Sequence, residues 1–265
     1  MAEIAIIGGT GVYDPKILTN VREESIQTPY GEVRYKAGEF GGYTIAFIPR
    51  HGSHHSIPPH KINYRANIWA IKKMGIKKII ATTAVGSLNE SMKPGDFVLI
   101  DQFLDFTKNR VQTFYEGEGR EVVHIDVTEP YCPDLRNTIK KAAGMLNLSV
   151  HNGGVYVCTE GPRFETPAEI KMFAKLGGDL VGMTNVPEVV LAHEAEICYA
   201  TVSMVTNYAA GISETNLTHA EVLETMAANA ENIKNLIMKS IELLDISSVH
   251  CACDQVLAEF GGFKL

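Results

Sequence analysis

The stretch GPRFET (161–166) sets an aromatic ring, Phe164, directly beside a carboxylate, Glu165, just after a glycine and a proline. An aromatic ring can stack on a flat heterocycle, and an ionised carboxylate only accepts hydrogen bonds. Together they can hold such a heterocycle and read an N–H on its edge. More polar residues gather after apolar runs, in GGTG (8–11), RHG (50–52), TTAVGS (82–87), MTN (183–185) and TNYAAG (206–211). Most of these offer threonine hydroxyls beside small residues that leave backbone N–H groups approachable, and one adds an arginine and a histidine. That chemistry suits an oxyanion, above all phosphate. GGTG is not a Walker loop, because no Lys-Ser or Lys-Thr follows it. It is also a poor dinucleotide fingerprint, since Asp14 stands where the third glycine belongs and Pro15 opposes a simple helix opening.

The runs that must position these groups read as strands: 4–9, 44–49, 78–85, 96–103, 153–159, 179–184 and 198–207. Helical patterns lie between several of them, at about 61–75, 133–147, 167–177 and 187–197. Strands alternating with helices predict an α/β fold whose largely parallel, mixed central sheet is flanked by helices. No repeat or low-complexity linker interrupts the chain, so residues 1–265 read as a single domain. Ligands of such sheets bind beyond the C-terminal ends of the strands, where the polar groups fall.

Two helix starts bear on the site. Thr166 caps the helix at 167–177, with Pro167 at its first position and Glu169 completing a capping box, so Glu165 sits on a loop tip held rigidly from behind. The long C-terminal helix, about 218–245, repeats Val222, Met226, Ile233, Ile237, Ile241 and Leu244 at helical spacing. Thr218 and Glu221 form its capping box, Leu217 and Val222 its hydrophobic staple, and His219 takes the first helical position, where a side chain can reach into a cleft. A short cysteine-containing tail, 246–265, follows.

The 265 residues are 45% apolar and 21% charged, the balance of an ordinary globular protein. A net charge of −7 supplies no basic stripe, which argues against nucleic acid as a partner. MAEIAIIGGTG lacks a basic n-region and its apolar run ends at Gly8. No stretch approaches the ~20 apolar residues of a membrane span. A cytoplasmic enzyme is expected. The five cysteines (132, 158, 198, 251 and 253) are too scattered for a small disulfide scaffold and lack zinc spacing. By composition they read as small buried hydrophobes, and no metal is expected.

The segments IIGGTGVYDP, PRHGSHHSIPPHKINYRANIWA, TTAVGSL, PGDFVLIDQFLDFT, TEGPRFET and GMTNVPEVVLAHEAEICYA occur in that order. In this the chain resembles the methylthioadenosine phosphorylase and purine nucleoside phosphorylase family of the trimeric type, from about residue 4 to 245. The resemblance implies a single nucleoside phosphorylase domain in which inorganic phosphate attacks the anomeric carbon of a purine nucleoside, giving free base and ribose 1-phosphate. Phosphate is then a co-substrate, and no metal or organic cofactor is implied. By position, Thr10, Arg50, His51, Thr83, Ala84 and Thr184 would hold phosphate, Met183 would lie against the ribose, and Phe164 would stack on the base. HIDVTEPYC resembles a segment lent by a neighbouring subunit, so His124 would cap the 5′ side of the sugar across the interface of a homotrimer, or of a hexamer built from two trimers.

The base-reading positions separate the family's branches. A 6-oxopurine presents an N1–H donor and an O6 acceptor, whereas adenine reverses both. Glu165 is complementary to the first and repels the second, and Asn207 can donate to O6 or N7 as negative charge builds on the leaving base. These two are the candidate catalytic residues. Methylthioadenosine-cleaving members carry serine in place of Glu165 and aspartate at the positions of Asn207 and Ala209, so this chain looks like the inosine- and guanosine-cleaving branch. THAEVLE (218–224) resembles a segment that sets a histidine against a 5′-hydroxyl, which favours His219 as a nucleoside contact. 5′-Methylthioinosine or 5′-methylthioadenosine is the alternative substrate. Members from heat-loving organisms with segments similar to EPYC and EICYA join those cysteines, and some carry a C-terminal Cys-x-Cys. The resemblance therefore implies disulfides Cys132–Cys198 and Cys251–Cys253.

Overall fold

The run IAIIG is buried at all of its positions, which a strand sustains only when both faces are covered. The computed structural model describes residues 2–8, 18–52, 56–117, 122–212, 219–246 and 250–264. Its strands begin with β1 (Ile4–Gly8), β2 (Thr19–Thr28), β3 (Gly31–Phe40), β4 (Tyr43–Pro49) and β5 (Lys78–Ser87). After these come β6 (Phe97–Leu99), β7 (Gln102–Phe106), β8 (Val150–Asn152), β9 (Val155–Thr159), β10 (Leu180–Gly182) and β11 (Cys198–Tyr208). The helices are α1 (Tyr64–Lys73), α2 (Pro133–Met145), α3 (Pro167–Lys175), α4 (Asn185–Glu194) and α5 (His219–Leu243).

The sheet is mixed and it branches at β5. β11 runs parallel along one edge of β5 from Lys78 to Ser87. The opposite edge meets β1 at Ile79–Ala81 and β10 at Gly86–Ser87. Between these pairings, among the described residues, Thr82–Val85 carry no strand partner on that edge. The two arms of the sheet part there, and a crevice opens in the middle of the fold. Helices α1 and α4 cover one face, and α2 and α5 cover the other. On α5 the expected apolar face is buried at Met226, Ile233, Ile237 and Ile241. Each such side chain is worth roughly 1.5–3 kcal/mol when fully buried. No helix among the described residues is long and apolar enough to cross a membrane.

Three local features differ from the sequence reading. Residues 96–103 form two strands rather than one. β6 joins β11 and β8, while β7 joins β9, and between them Asp101 turns aside to accept the Gly154 N–H at 2.9 Å. The β2–β3 hairpin was not expected, because β2 is largely exposed and shows no apolar alternation. Helix α4 begins earlier than expected, at Asn185, with non-helical backbone at Val186.

Glycine is required where the arms come together. A Cβ on Gly182 would fall 2.1 Å from the hydroxyl oxygen of Tyr156, whose ring is fully buried. Gly182→Ala should therefore cost about 1–3 kcal/mol of stability through overpacking. Gly144, on an exposed turn of α2, has open space around it, and Gly144→Ala should add about 0.5–1 kcal/mol. Denaturant unfolding of the two variants checks the contrast, and equal effects would contradict it.

Candidate active site

Beyond the ends of the strands, a cleft of about 410 Å³ opens along the unpaired edge of β5, within the usual size of a small-ligand site. Arg50, His51, Thr83, Ala84 and Thr184 line one part of it, and Phe164, Glu165, Met183 and Asn207 line the rest. The sequence-selected residues therefore converge, with three exceptions. Thr10 lies outside the described residues, as do the cap positions 217–218. α5 starts at His219 as expected, but the side chain of His219 is not among those described. His124 is exposed and is not in the cleft wall of its own chain.

At the deep end sits a buried ion pair. Arg50 donates from Nε to Glu188 Oε2 at 2.7 Å and from Nη2 to Oε1 at 2.6 Å, and its Nη1 donates to the Thr82 carbonyl at 2.8 Å. The Tyr199 hydroxyl adds a bond to Glu188 Oε1 at 2.7 Å. Burial opposes the charge on Arg50, but Glu188 outweighs it and holds the guanidinium protonated, above the ordinary arginine range. Beside it, His51 Nδ1 donates to the Ile57 carbonyl at 2.8 Å, which fixes the ring's tautomer. The hydroxyls of Thr83 and Ser203 lie 2.9 Å apart.

The other end is built from the loop before α3 and the bulged end of β11. The capping box of α3 is formed: Thr166 Oγ1 accepts from the Glu169 N–H, and Glu169 Oε2 accepts from the Thr166 N–H. Arg163 grips the same Glu169 through two bonds, holding its carboxyl down at about 2. This rigid loop presents Phe164, 47% exposed, at the cleft mouth. Glu165 tucks inward and accepts from the Thr159 hydroxyl at 2.6 Å. Burial raises the Glu165 carboxyl above its ordinary value, and the Thr159 bond offsets part of that. Across the cleft, a register shift between Val205 and Asn207 leaves Thr206 out of the ladder. Such a bulge re-aims the following side chain. Asn207 Oδ1 takes the Thr206 hydroxyl at 2.7 Å, and its Nδ2 donates to the Tyr208 carbonyl at 2.8 Å.

A match to the model of the phosphorylase superfamily spans residues 3–242. The chain belongs to this superfamily. It is 60% identical over 238 residues to the probable 6-oxopurine nucleoside phosphorylase of Moorella thermoacetica, covering 90% of this chain and 92% of the relative. Identity to the 6-oxopurine nucleoside phosphorylase of Pyrococcus furiosus is 55% over 262 residues, covering 97% and 98%. Among solved structures, a methylthioadenosine phosphorylase from an antarctic soil metagenomic library superposes with a TM-score of 0.91 at 38% identity, covering 97% and 91%. The phosphorylase fold expected from the motifs is the fold found.

Two residues that brace this cleft, Glu188 and Arg110, escaped the sequence reading. Glu188 is a lone carboxylate in the apolar run NVPEVVLA, and that isolation was the available signal. Arg110 belongs to no regular element. It donates to the carbonyls of Met183 and Val186, both at 2.7 Å, and to that of Glu160 at 2.8 Å, stitching the two lips of the cleft together. The cysteine expectations need correction. All five cysteines are free thiols, so neither Cys132–Cys198 nor Cys251–Cys253 is bonded. Cys132 and Cys198 instead lie 3.6 and 3.5 Å from Cys251, far beyond the ~2.05 Å of a disulfide. Cys132, Cys158, Cys198 and Cys253 are buried in the core as the small-hydrophobe reading expects, and burial pushes the Cys158 thiol up to about 12.

Glu188→Gln leaves Arg50 buried without its counter-charge and should cost about 3 kcal/mol or more in denaturant unfolding. Arg50→Met/Glu188→Gln removes both charges while keeping an acceptor for Tyr199, and should regain most of that loss. A double variant as unstable as the single one would show that the uncompensated charge is not the cause.

Proposed function

We propose that this chain is a purine nucleoside phosphorylase that cleaves the N-glycosidic bond of 6-oxopurine nucleosides, inosine and guanosine, with inorganic phosphate. The observation that carries the base preference is the pairing of a half-buried, acceptor-only carboxylate, Glu165, with an amide that keeps one N–H to donate, Asn207. Asn207 Oδ1 already accepts the Thr206 hydroxyl and one Nδ2 hydrogen goes to Tyr208, which leaves the second Nδ2 hydrogen free to donate to a ligand beside one remaining lone pair on Oδ1. Glu165 then accepts from N1–H of the purine, and Asn207 donates to O6 or N7. Adenine would set acceptor against acceptor at N1. The names of the two relatives given above, which refer to 6-oxopurines, support the same preference.

In this reading Arg50, held protonated by Glu188, meets the phosphate with its remaining donors. His51, Thr83, Ala84 and Thr184 complete the cradle. Phosphate is the nucleophile, so no Ser-His or Cys-His pair is required. The C1′–N9 bond lengthens into an oxocarbenium-like state, stabilised by the adjacent phosphate charge, as in glycoside cleavage generally. The electron pair flows into the purine, where the Asn207 N–H faces the growing negative charge. Met183 and Phe164 fix the ribose and the base, so that the attacking oxygen is aligned before reaction. His219 and, from a neighbouring subunit of a trimer or hexamer, His124 hold the 5′ side.

One observation favours a second substrate for the same reaction. Val222, one helical turn beyond His219, presents an apolar side chain to the cleft, and this suits the thioether of 5′-methylthioinosine.

Base release from inosine, adenosine, 5′-methylthioinosine and 5′-methylthioadenosine, with and without phosphate, tests the reading. Hypoxanthine release should require phosphate and exceed adenine release by at least tenfold, since each mismatched buried contact costs ~1–3 kcal/mol. Asn207→Asp should move the preference toward adenosine. Phosphate-independent release would refute phosphorolysis, and faster cleavage of 5′-methylthioadenosine than of inosine would refute the base assignment.

A further inference from the structure

Far from the cleft, at the opposite end of β11, four sulfurs meet. Cys132 caps the N-terminus of α2, Cys198 opens β11, and Cys251 and Cys253 come from the tail after α5. Their Sγ atoms all lie within 4.8 Å of one another, with Cys251 at 3.6 Å from Cys132 and 3.5 Å from Cys198. Disulfides would need contacts near 2.05 Å. Four thiolates around a tetrahedral zinc ion, with Zn–S near 2.3 Å, stand about 3.8 Å apart, close to the 3.5 and 3.6 Å contacts of Cys251. We infer that Cys132, Cys198, Cys251 and Cys253 form a structural site for one zinc-class divalent cation, clamping the C-terminal tail to the start of β11 and the head of α2.

The surroundings fit that assignment. The Leu135 N–H at the head of α2 points at Cys132 Sγ, 3.5 Å away, the kind of outer bond that orients a thiolate ligand. A cavity of about 200 Å³, lined by Cys132, Cys198, Cys251, Asp134, His250 and Lys78, provides an entry path. Three of the four cysteines are buried and Cys251 is half-buried, so the site is closed by protein, as structural sites are. Each thiol gives up its proton, so uptake of M²⁺ releases four protons and leaves a centre of charge 2−. Four sulfur ligands favour zinc over magnesium or calcium, which prefer oxygen. The one-residue spacing of Cys251 and Cys253 hid the site in the sequence, and the fold supplies the other two ligands from 53 and 119 residues away.

The test uses the full chain, reduced, stripped with a chelator and titrated anaerobically with Co²⁺ and then Zn²⁺. One equivalent of Co²⁺ per chain should bind, giving intense thiolate-to-cobalt charge-transfer absorption and tetrahedral d–d bands that zinc abolishes. Alkylation mapped by mass spectrometry should find Cys251 protected with metal and reactive without it. Cys253→Ser or Cys251→Ser should lose the charge-transfer intensity per sulfur and lower the stoichiometry at micromolar metal, while phosphorolysis in the wild-type chain is unaffected by the chelator. The inference fails if the reduced chain takes up neither metal, or if freshly isolated chain is metal-free and four hydrogens lighter than the reduced form, which would instead assign two disulfides.

Discussion

The buried pair of Arg50 and Glu188 is the constraint on which the cleft depends. Arg50 follows β4, Glu188 lies in α4, Tyr199 belongs to β11, and the Thr82 carbonyl comes from the open edge of β5. Four separate parts of the fold are thus referenced to one ion pair. Burying such a pair adds little net stability, because the desolvation of two ions offsets their attraction. Its value lies in placing a permanently charged, correctly oriented donor at the bottom of a crevice. An exposed arginine would lose that orientation to solvent and side-chain entropy.

The crevice itself follows from strand pairing. β5 gives one edge entirely to β11 and divides the other between β1 and β10, so the chain must leave Thr82–Val85 facing open space. The same region receives Thr206 and Asn207 from the bulged end of β11. Arg110 ties the Glu160 lip to the Met183 lip, and the capped start of α3 fixes Phe164 and Glu165 against both. The Arg50 end of the cleft and the Phe164–Glu165 end are therefore held by different elements at a fixed separation. Under the proposed function, phosphate would occupy the first end and the purine the second, so that they meet at one carbon atom.

Much of this was legible in the sequence because it is local. Apolar runs marked β1, β4, β9 and β11, and the Thr166–Glu169 box marked both the start of α3 and the rigidity of the loop before it. Polar residues after strands marked the cleft. What escaped depends on partners distant in the chain or on faces turned to water. Glu188 acquires its meaning only from an arginine 138 residues away. β2 carries charged residues toward solvent and leaves no alternating apolar trace. Asp101 breaks what reads as one apolar strand because the Gly154 N–H claims its carboxylate. The cysteines look scattered until α2, β11 and the tail bring their sulfurs together.

In the proposed mechanism Arg50, locked by Glu188, anchors the anion. The most direct measurement is calorimetric titration of inorganic phosphate into the wild-type chain and into Arg50→Met/Glu188→Gln. That variant lacks both buried charges, and its fold is verified by circular dichroism. Charge-assisted hydrogen bonds are worth ~1.5–3 kcal/mol each, so losing two such donors should weaken phosphate binding roughly 100-fold or more. Phosphate affinity within a few-fold of wild type in a folded double variant would contradict the account and move the anion site away from Arg50.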